Sequence, residues 1–159
     1  MSALVQVEQF IVRGLPSLHP HVALRHRPFS SKMLYNILAH ASRFPLREVT
    51  YQVLREKNRY VARLVQVGTA GGSGDFVDLD GDVVMQIHTH NQMPAFWSLT
   101  DDAHEVEFRW YGVVGRVSGN RPEVAFRAGV FGYFHPLPVT SLFRGDDLAT
   151  RVIDKVGGA

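Results

Sequence analysis

The sequence predicts a mixed α/β fold of the α+β kind, with helices packed on a largely antiparallel sheet. Two patterns and one argument from size lead there. Met33, Leu34, Ile37, Leu38 and Ala41 repeat at the spacing of one helix face. The runs VTYQVL (49–54), YVARLVQV (60–67) and VVMQIHTH (83–90) are instead rich in β-branched and aromatic residues at strand length. At 159 residues, with no internal repeat and no low-complexity tract, the chain is sized for a single domain over residues 1–159 that needs no staple to hold its core.

Taken in order, residues 3–13 alternate apolar and polar positions and predict a first strand, followed by a connection with Pro and His through about residue 28. Ser30 or Ser31 is a suitable N-cap for the helix that follows, and Pro45 stops it. The charged REKNR at 55–59 predicts a turn that joins the next two strands as an antiparallel hairpin. Residues 68–82 mix glycines with short acidic side chains and predict a flexible loop, and they lack the Lys-Ser/Thr ending of a phosphate-binding loop. After the strand at 83–90, a second helix is expected from Ser98 to about Trp110, turning Ala103, Val106 and Trp110 toward a core. Strands YGVVGRV (111–117) and EVAFRAGVFGYF (123–134) flank a turn at Gly119–Pro122, and HPLPVTSLF (135–143) leads to a short terminal helix at about 146–156.

Composition removes several function classes. Hydrophobic residues at 45% and charged residues at 20% are those of an ordinary globular chain rather than a disordered or membrane one. The formal charge of +2, with Lys and Arg dispersed, is too small a footprint for a nucleic-acid partner. The first residues carry no signal-peptide pattern and no run reaches membrane-spanning length, so a cytoplasmic location with no membrane partner is expected. With no cysteine, a thiol nucleophile, a thiolate metal site and the His/Cys/Cys zinc site of nucleobase deaminases are all excluded. A metal here must be held by nitrogen and oxygen.

His88 and His90 supply such a site. Side chains two apart on a strand share a face, so both imidazoles can converge on one point. Ser98 and Asp101 follow at the start of the second helix, where a carboxylate can return to the strand end. Two His and one carboxylate leave a tetrahedral position open, as in a catalytic rather than a structural zinc site. Each part has a plainer explanation: paired strand histidines are commonly surface residues, and Ser98 with Asp101 fits a capping box. Asp102 competes with Asp101 as ligand, although spacing favours Asp101. His19, His21 and His26 have irregular spacing and no acid partner, and His40 and His104 are expected to face solvent. Phe96 and Trp97 are expected to pack beneath the loop and adjoin the metal.

His88, Thr89 and His90, seven further residues, then Ser98 and Asp101 resemble the signature of the JAMM metallopeptidases, the catalytic MPN domains. The resemblance spans residues 30–135. IHTHNQMPAFWSLTDDAHE and VFGYFHPLPVTSLF are similar to a bacterial branch that includes protein A of the PRTRC systems and JAMM proteins encoded beside ubiquitin-like proteins. It implies a cytidine-deaminase-like three-layer MPN fold, one Zn²⁺ per chain on His88, His90 and Asp101, Glu48 in FPLREVTYQVL as general base, and Ser98 as donor to the oxyanion. It further implies an isopeptidase that cleaves after the C-terminal tail of a ubiquitin-like protein, removing it from conjugates or trimming its precursor. The partners implied are that protein, its conjugates and E1- and E2-like enzymes, in a bacterial conjugation system of antiphage defence. Two alternatives share the fold: a noncatalytic MPN scaffold and a small-molecule amidohydrolase. Asn91 stands where most members have Pro, and the hairpin strand lacks the small residues common in deubiquitinases, which leaves the substrate more open than the chemistry.

Overall fold

The computed structural model describes residues 3–8, 19–24, 27–68 and 78–156. Two strands, β1 (Ala3–Glu8) and β2 (His19–Leu24), pair antiparallel at the start. The expected first strand is therefore found over its first part, and residues 9–13 lie outside the described ones. The connection holding Pro20 contains β2 instead of irregular chain. Proline is compatible with an edge position, and a two-stranded ribbon has only edges.

The main elements follow the hydrophobic pattern. After β3 (Phe29–Ser30), α1 (Ser31–Ala41) buries Leu34, Ile37, Leu38 and Ala41 on one face. Ser30 takes the N-cap position by its extended backbone, but its side chain caps nothing. The helix ends before Pro45, as expected. β4 (Val49–Glu56) and β5 (Arg59–Val67) form the hairpin, turning at Lys57 and Asn58, and β6 (Val83–Thr89) pairs with the other side of β4. The loop at 68–82 is described only at its ends. Residues 69–77 lie outside, while Asp78 is anchored to Arg109 and Gln52.

The second helix is shorter than its sequence suggests. It spans only Leu99–His104 (α2), and Arg109–Gly115 is already a strand, β7. Trp110 is buried on that strand, whereas Ala103 and Val106 are exposed. The helix stops because Glu105 turns inward to a buried arginine, Arg127, a contact that no local pattern reveals. β7 runs parallel to β6, and residues 90–108 form the crossover between them.

β8 (Glu123–Val130) and β9 (Tyr133–Leu137) complete the long strands, so the predicted strand 123–134 is in fact a hairpin broken at Phe131 and Gly132. The last segment holds α3 (Val139–Leu142), β10 (Phe143–Arg144), α4 (Leu148–Arg151) and β11 (Ile153–Asp154) in place of one terminal helix over 146–156. β10 pairs parallel with β3, closing the chain against the start of α1.

The main sheet has the order β11-β8-β7-β6-β4-β5, with β9 also on β8, and is antiparallel except at β6–β7 and β8–β11. This is the mixed α+β architecture that the sequence predicts. No helix among the described residues is long and apolar enough to cross a membrane. Its two faces differ. Tyr51, Val53, Met85, Ile87, Trp110, Val114 and Phe126 join the α1 face in the main core. The opposite face buries Gln52, Gln86, His88 and Arg127, with a small apolar patch of Ala95, Val113, Ala125 and Trp97. Buried polar groups need partners, and the crossover 90–108 supplies several of them.

Candidate metal centre

The end of β6 and the residue after it bring both histidines to one point. His88 and His90 Nε2 atoms stand 3.1 Å apart, and both side chains are almost wholly buried. Asp101 completes the group, with Oδ1 3.2 Å from His88 Nε2 and Oδ2 3.8 Å from His90 Nε2. Among the described residues, these are the side chains gathered closely enough to hold a metal ion. Two ligands at Zn–N distances of 2.0–2.1 Å and a tetrahedral angle would lie roughly 3.3 Å apart. The observed spacings of 3.1 and 3.2 Å are close to that, while His90 and Asp101 stand further apart at 3.8 Å.

The electrostatics agree. Burial holds the His88 imidazole well below its ordinary range, with Asp101 pulling it up and His90 and Arg127 adding to the depression. A neutral imidazole offers the lone pair that a metal needs. His90 Nδ1, Thr50 Oγ1 and Asn91 Oδ1 are buried without hydrogen-bond partners among the described residues. With both Nε2 atoms bare, their lone pairs and the carboxylate at this spacing would repel one another, a repulsion that a cation between them relieves.

Asp101 is held in place by the capping box. Ser98 N and Ser98 Oγ both donate to Asp101 Oδ2 at 2.7 Å, and Asp101 N donates to Ser98 Oγ at 3.1 Å. Oδ2 is thereby committed to the helix cap, which leaves Oδ1, the oxygen nearer His88, as the one free to meet a metal. The capping and metal roles of this pair are complementary. Asp102 is excluded as a substitute ligand, because it accepts a 2.6 Å bond from Arg127.

Glu48 precedes β4. Thr50 pairs with His88 in the antiparallel ladder, so Glu48, two residues before Thr50, lies just ahead of the end of β4 that adjoins the histidines. Val49 N donates to Thr89 Oγ1 at 2.9 Å, and Gly68 N donates to Glu48 O at 2.7 Å, which fixes the backbone there. The half-buried Glu48 carboxylate has no hydrogen-bond or ion-pair partner among the described residues.

Asn91 has a physical reason for being there. Its φ of 52° is left-handed, which asparagine tolerates and proline cannot adopt. The turn it makes sends the crossover back over β7, where Arg116 N donates to Met93 O and Val117 N to Asn91 O. Gly115 allows this approach, since a Cβ there would lie 2.2 Å from Ala95 N. Trp97 then packs with its ring against His88, and the 39% exposed Phe96 lies edge-on to His90.

Two residues of the centre are not apparent in the sequence. Glu105 Oε1 lies 3.6 Å from His88 Nδ1, and Glu105 Oε2 accepts bonds of 3.0 and 2.7 Å from Arg127. Arg127 is itself stacked between Trp97 and Phe134, at 3.8 and 3.6 Å from the ring centres. Burial outweighs the charge and hydrogen bonds of Arg127 and pushes the Glu105 carboxyl up to about 8, with the charges of Asp101 and Asp102 adding to the rise. Two bonds from one guanidinium favour the ionised form, so we take Glu105 as a carboxylate. Of the other histidines, His40, expected to face solvent, is half-buried, with Nδ1 2.7 Å from Tyr51 Oη. His104 is exposed, and His26 lies outside the described residues.

No family profile matches the chain, and no curated protein matches it. Protein DSY2949 from Desulfitobacterium hafniense, known from a solution structure, is similar at 13% identity and a TM-score of 0.48, over 80% of this chain and 91% of that one.

Proposed function

We propose that the protein is a zinc-dependent amide hydrolase of the JAMM (MPN-domain) type, acting after the C-terminal tail of a ubiquitin-like protein. The observation that carries the reading is the convergence of His88, His90 and Asp101, beside the strand that Glu48 precedes. His88, His90 and Asp101 hold the ion. When bound, zinc supplies a Lewis acid that brings the pKa of water toward neutrality. Glu48 takes the proton from the water whose oxygen adds to the amide carbonyl carbon, and returns it to the nitrogen as the C–N bond breaks. Ser98 Oγ now donates to Asp101, so a bond to the oxyanion requires that hydroxyl to exchange partners.

The tail substrate rests on the resemblance and on a physical preference. An extended chain can add to a sheet edge and present one carbonyl at a strand end. β5 is such an edge, and its last residues adjoin Glu48. The test is a fusion of a genomically adjacent ubiquitin-like protein to a reporter, incubated with zinc-loaded enzyme and with Glu48→Gln, and followed by intact mass. Cleavage at the tail junction by the wild type alone supports the proposal. A Glu48→Gln protein that cleaves normally removes the base, and no cleavage of the fusion or of a lysine-linked conjugate removes the substrate.

A further inference from the structure

We infer that Glu105 is a positioning residue for the metal centre, setting the tautomer and orientation of His88 from behind and itself held by Arg127. The inference rests on the metal reading of His88, His90 and Asp101, and goes beyond it in naming what makes His88 a competent ligand.

A histidine that ligates through Nε2 must carry its proton on Nδ1, and the group facing Nδ1 decides whether it does. Glu105 Oε1 faces that nitrogen at 3.6 Å, a charge-pairing distance longer than a hydrogen bond. The carboxylate is 2% exposed, so its field on the ring is little screened by water. A negative oxygen on that side favours Nδ1–H; Asp101 Oδ1, 3.2 Å from Nε2, opposes it but forms no hydrogen bond with that nitrogen, whose hydrogen-bond contact is His90 Nε2.

The rest of the cluster is consistent with that assignment. If His88 Nε2 is bare, the 3.1 Å contact between the two Nε2 atoms requires His90 Nε2 to donate in the metal-free protein. His90 Nδ1 is then bare as well, and it is the nitrogen that is buried without a partner. A lone pair without a partner is less costly to bury than an N–H without one. The two histidines therefore differ: His88 has a carboxylate behind it, and His90 has none.

Arg127 accounts for why a buried acid can stay there. It grips Glu105 through Nε and Nη2 and reaches Asp102 through Nη1, while Trp97 and Phe134 cover its two faces. Glu105 can then neither swing to solvent nor turn its Oε1 away from His88. Asp102 shares the arginine but makes no contact with His88, and so provides the control.

The experiment measures zinc affinity by competition with a chromogenic chelator on the full chain, for wild type, Glu105→Gln and Asp102→Asn. Long-range ¹H–¹⁵N correlation spectra of the metal-free wild type report the His88 tautomer. Glu105→Gln should weaken zinc binding by about 10-fold or more with an unchanged circular dichroism spectrum. Asp102→Asn should stay within about threefold of wild type, and His88 should be the Nδ1–H form. Glu105→Gln within threefold of wild type, an equal loss in Asp102→Asn, or an Nε2–H His88 would each overturn the inference. A wild type that binds no zinc yet keeps His88 as Nδ1–H would sink the metal reading and leave Glu105 as the partner of His88. Zinc binding indifferent to Glu105 would do the reverse.

Discussion

Arg127→Met removes the one guanidinium that faces both Glu105 and Asp102. Arg127 is 3% exposed, and its bonds of 3.0 and 2.7 Å go to a carboxylate that is 2% exposed. Asp102 can turn to water when the arginine is gone, since 43% of its side chain is already exposed. Glu105 cannot. The largest loss is therefore one buried carboxylate left without its partner, roughly 3–5 kcal/mol. Methionine keeps contact with Trp97 and Phe134, so the stacking loss is smaller, on the order of 1 kcal/mol. With a urea slope of about 2 kcal/mol/M, a loss of about 4 kcal/mol moves the midpoint down by about 2 M. The assay is urea unfolding followed by tryptophan fluorescence in a chelator, so that metal does not enter. Adding Glu105→Leu to Arg127→Met should recover most of the loss, because a pair replaced by apolar groups is close to neutral. A single variant that loses less than about 1 kcal/mol, or a double variant no better than the single, would refute the account of Arg127 as the counter-charge of a buried acid.

Three other outcomes follow from the same structure. Ser98→Ala should cost about 1 kcal/mol of stability through the lost cap and also weaken zinc binding, because Asp101 Oδ2 loses its side-chain donor; chelator competition beside thermal melts separates the two effects. Asn91→Pro should destabilise the fold by about 3 kcal/mol or more and lose the metal, since φ at 52° is closed to proline; a variant that binds zinc normally would mean that the left-handed turn is dispensable. Hydrogen bonding from Arg109, then its charge, holds Asp78 below its ordinary value of 3.8 against the opposing effect of burial. This contribution is therefore present above about 3.8 and lost as pH falls through the lower folded value. Asp78→Asn should make the acid limb of a stability-versus-pH curve shallower below pH 4, and parallel limbs would contradict the pairing.

The group that could hold a metal was legible because each member rests on a short-range rule. Residues at i and i+2 on a strand share a face, and serine at a helix start with an acid three residues on makes a cap. His88, His90, Ser98 and Asp101 are found together for those reasons. Glu48 enters as a candidate base only through the resemblance, since an acid at a helix–strand junction has no local signature. The pairing of Thr50 with His88 is what brings its strand beside the two histidines. The choice of Asp101 over Asp102 was favoured by spacing, and the structure gives the cause: Arg127 occupies Asp102.

The sequence by itself determined α1, the hairpin of β4 and β5, the metal strand β6 and the largely antiparallel character of the sheet, because hydrophobic period and turn residues act within a few positions of one another. Tertiary structure alone decided where the second helix stops. Periodicity carries it to Trp110, but the chain leaves the helix at Glu105 to meet Arg127, and Trp110 joins β7 in the core. It also decided the pairs β3–β10 and β8–β11, whose strands are two residues long where they meet and too short to have a period. The carboxylate behind His88 belongs to the same class. Glu105 and Arg127 are 22 residues apart, and only the packing of β8 beneath the crossover brings a charge to where burial makes it count.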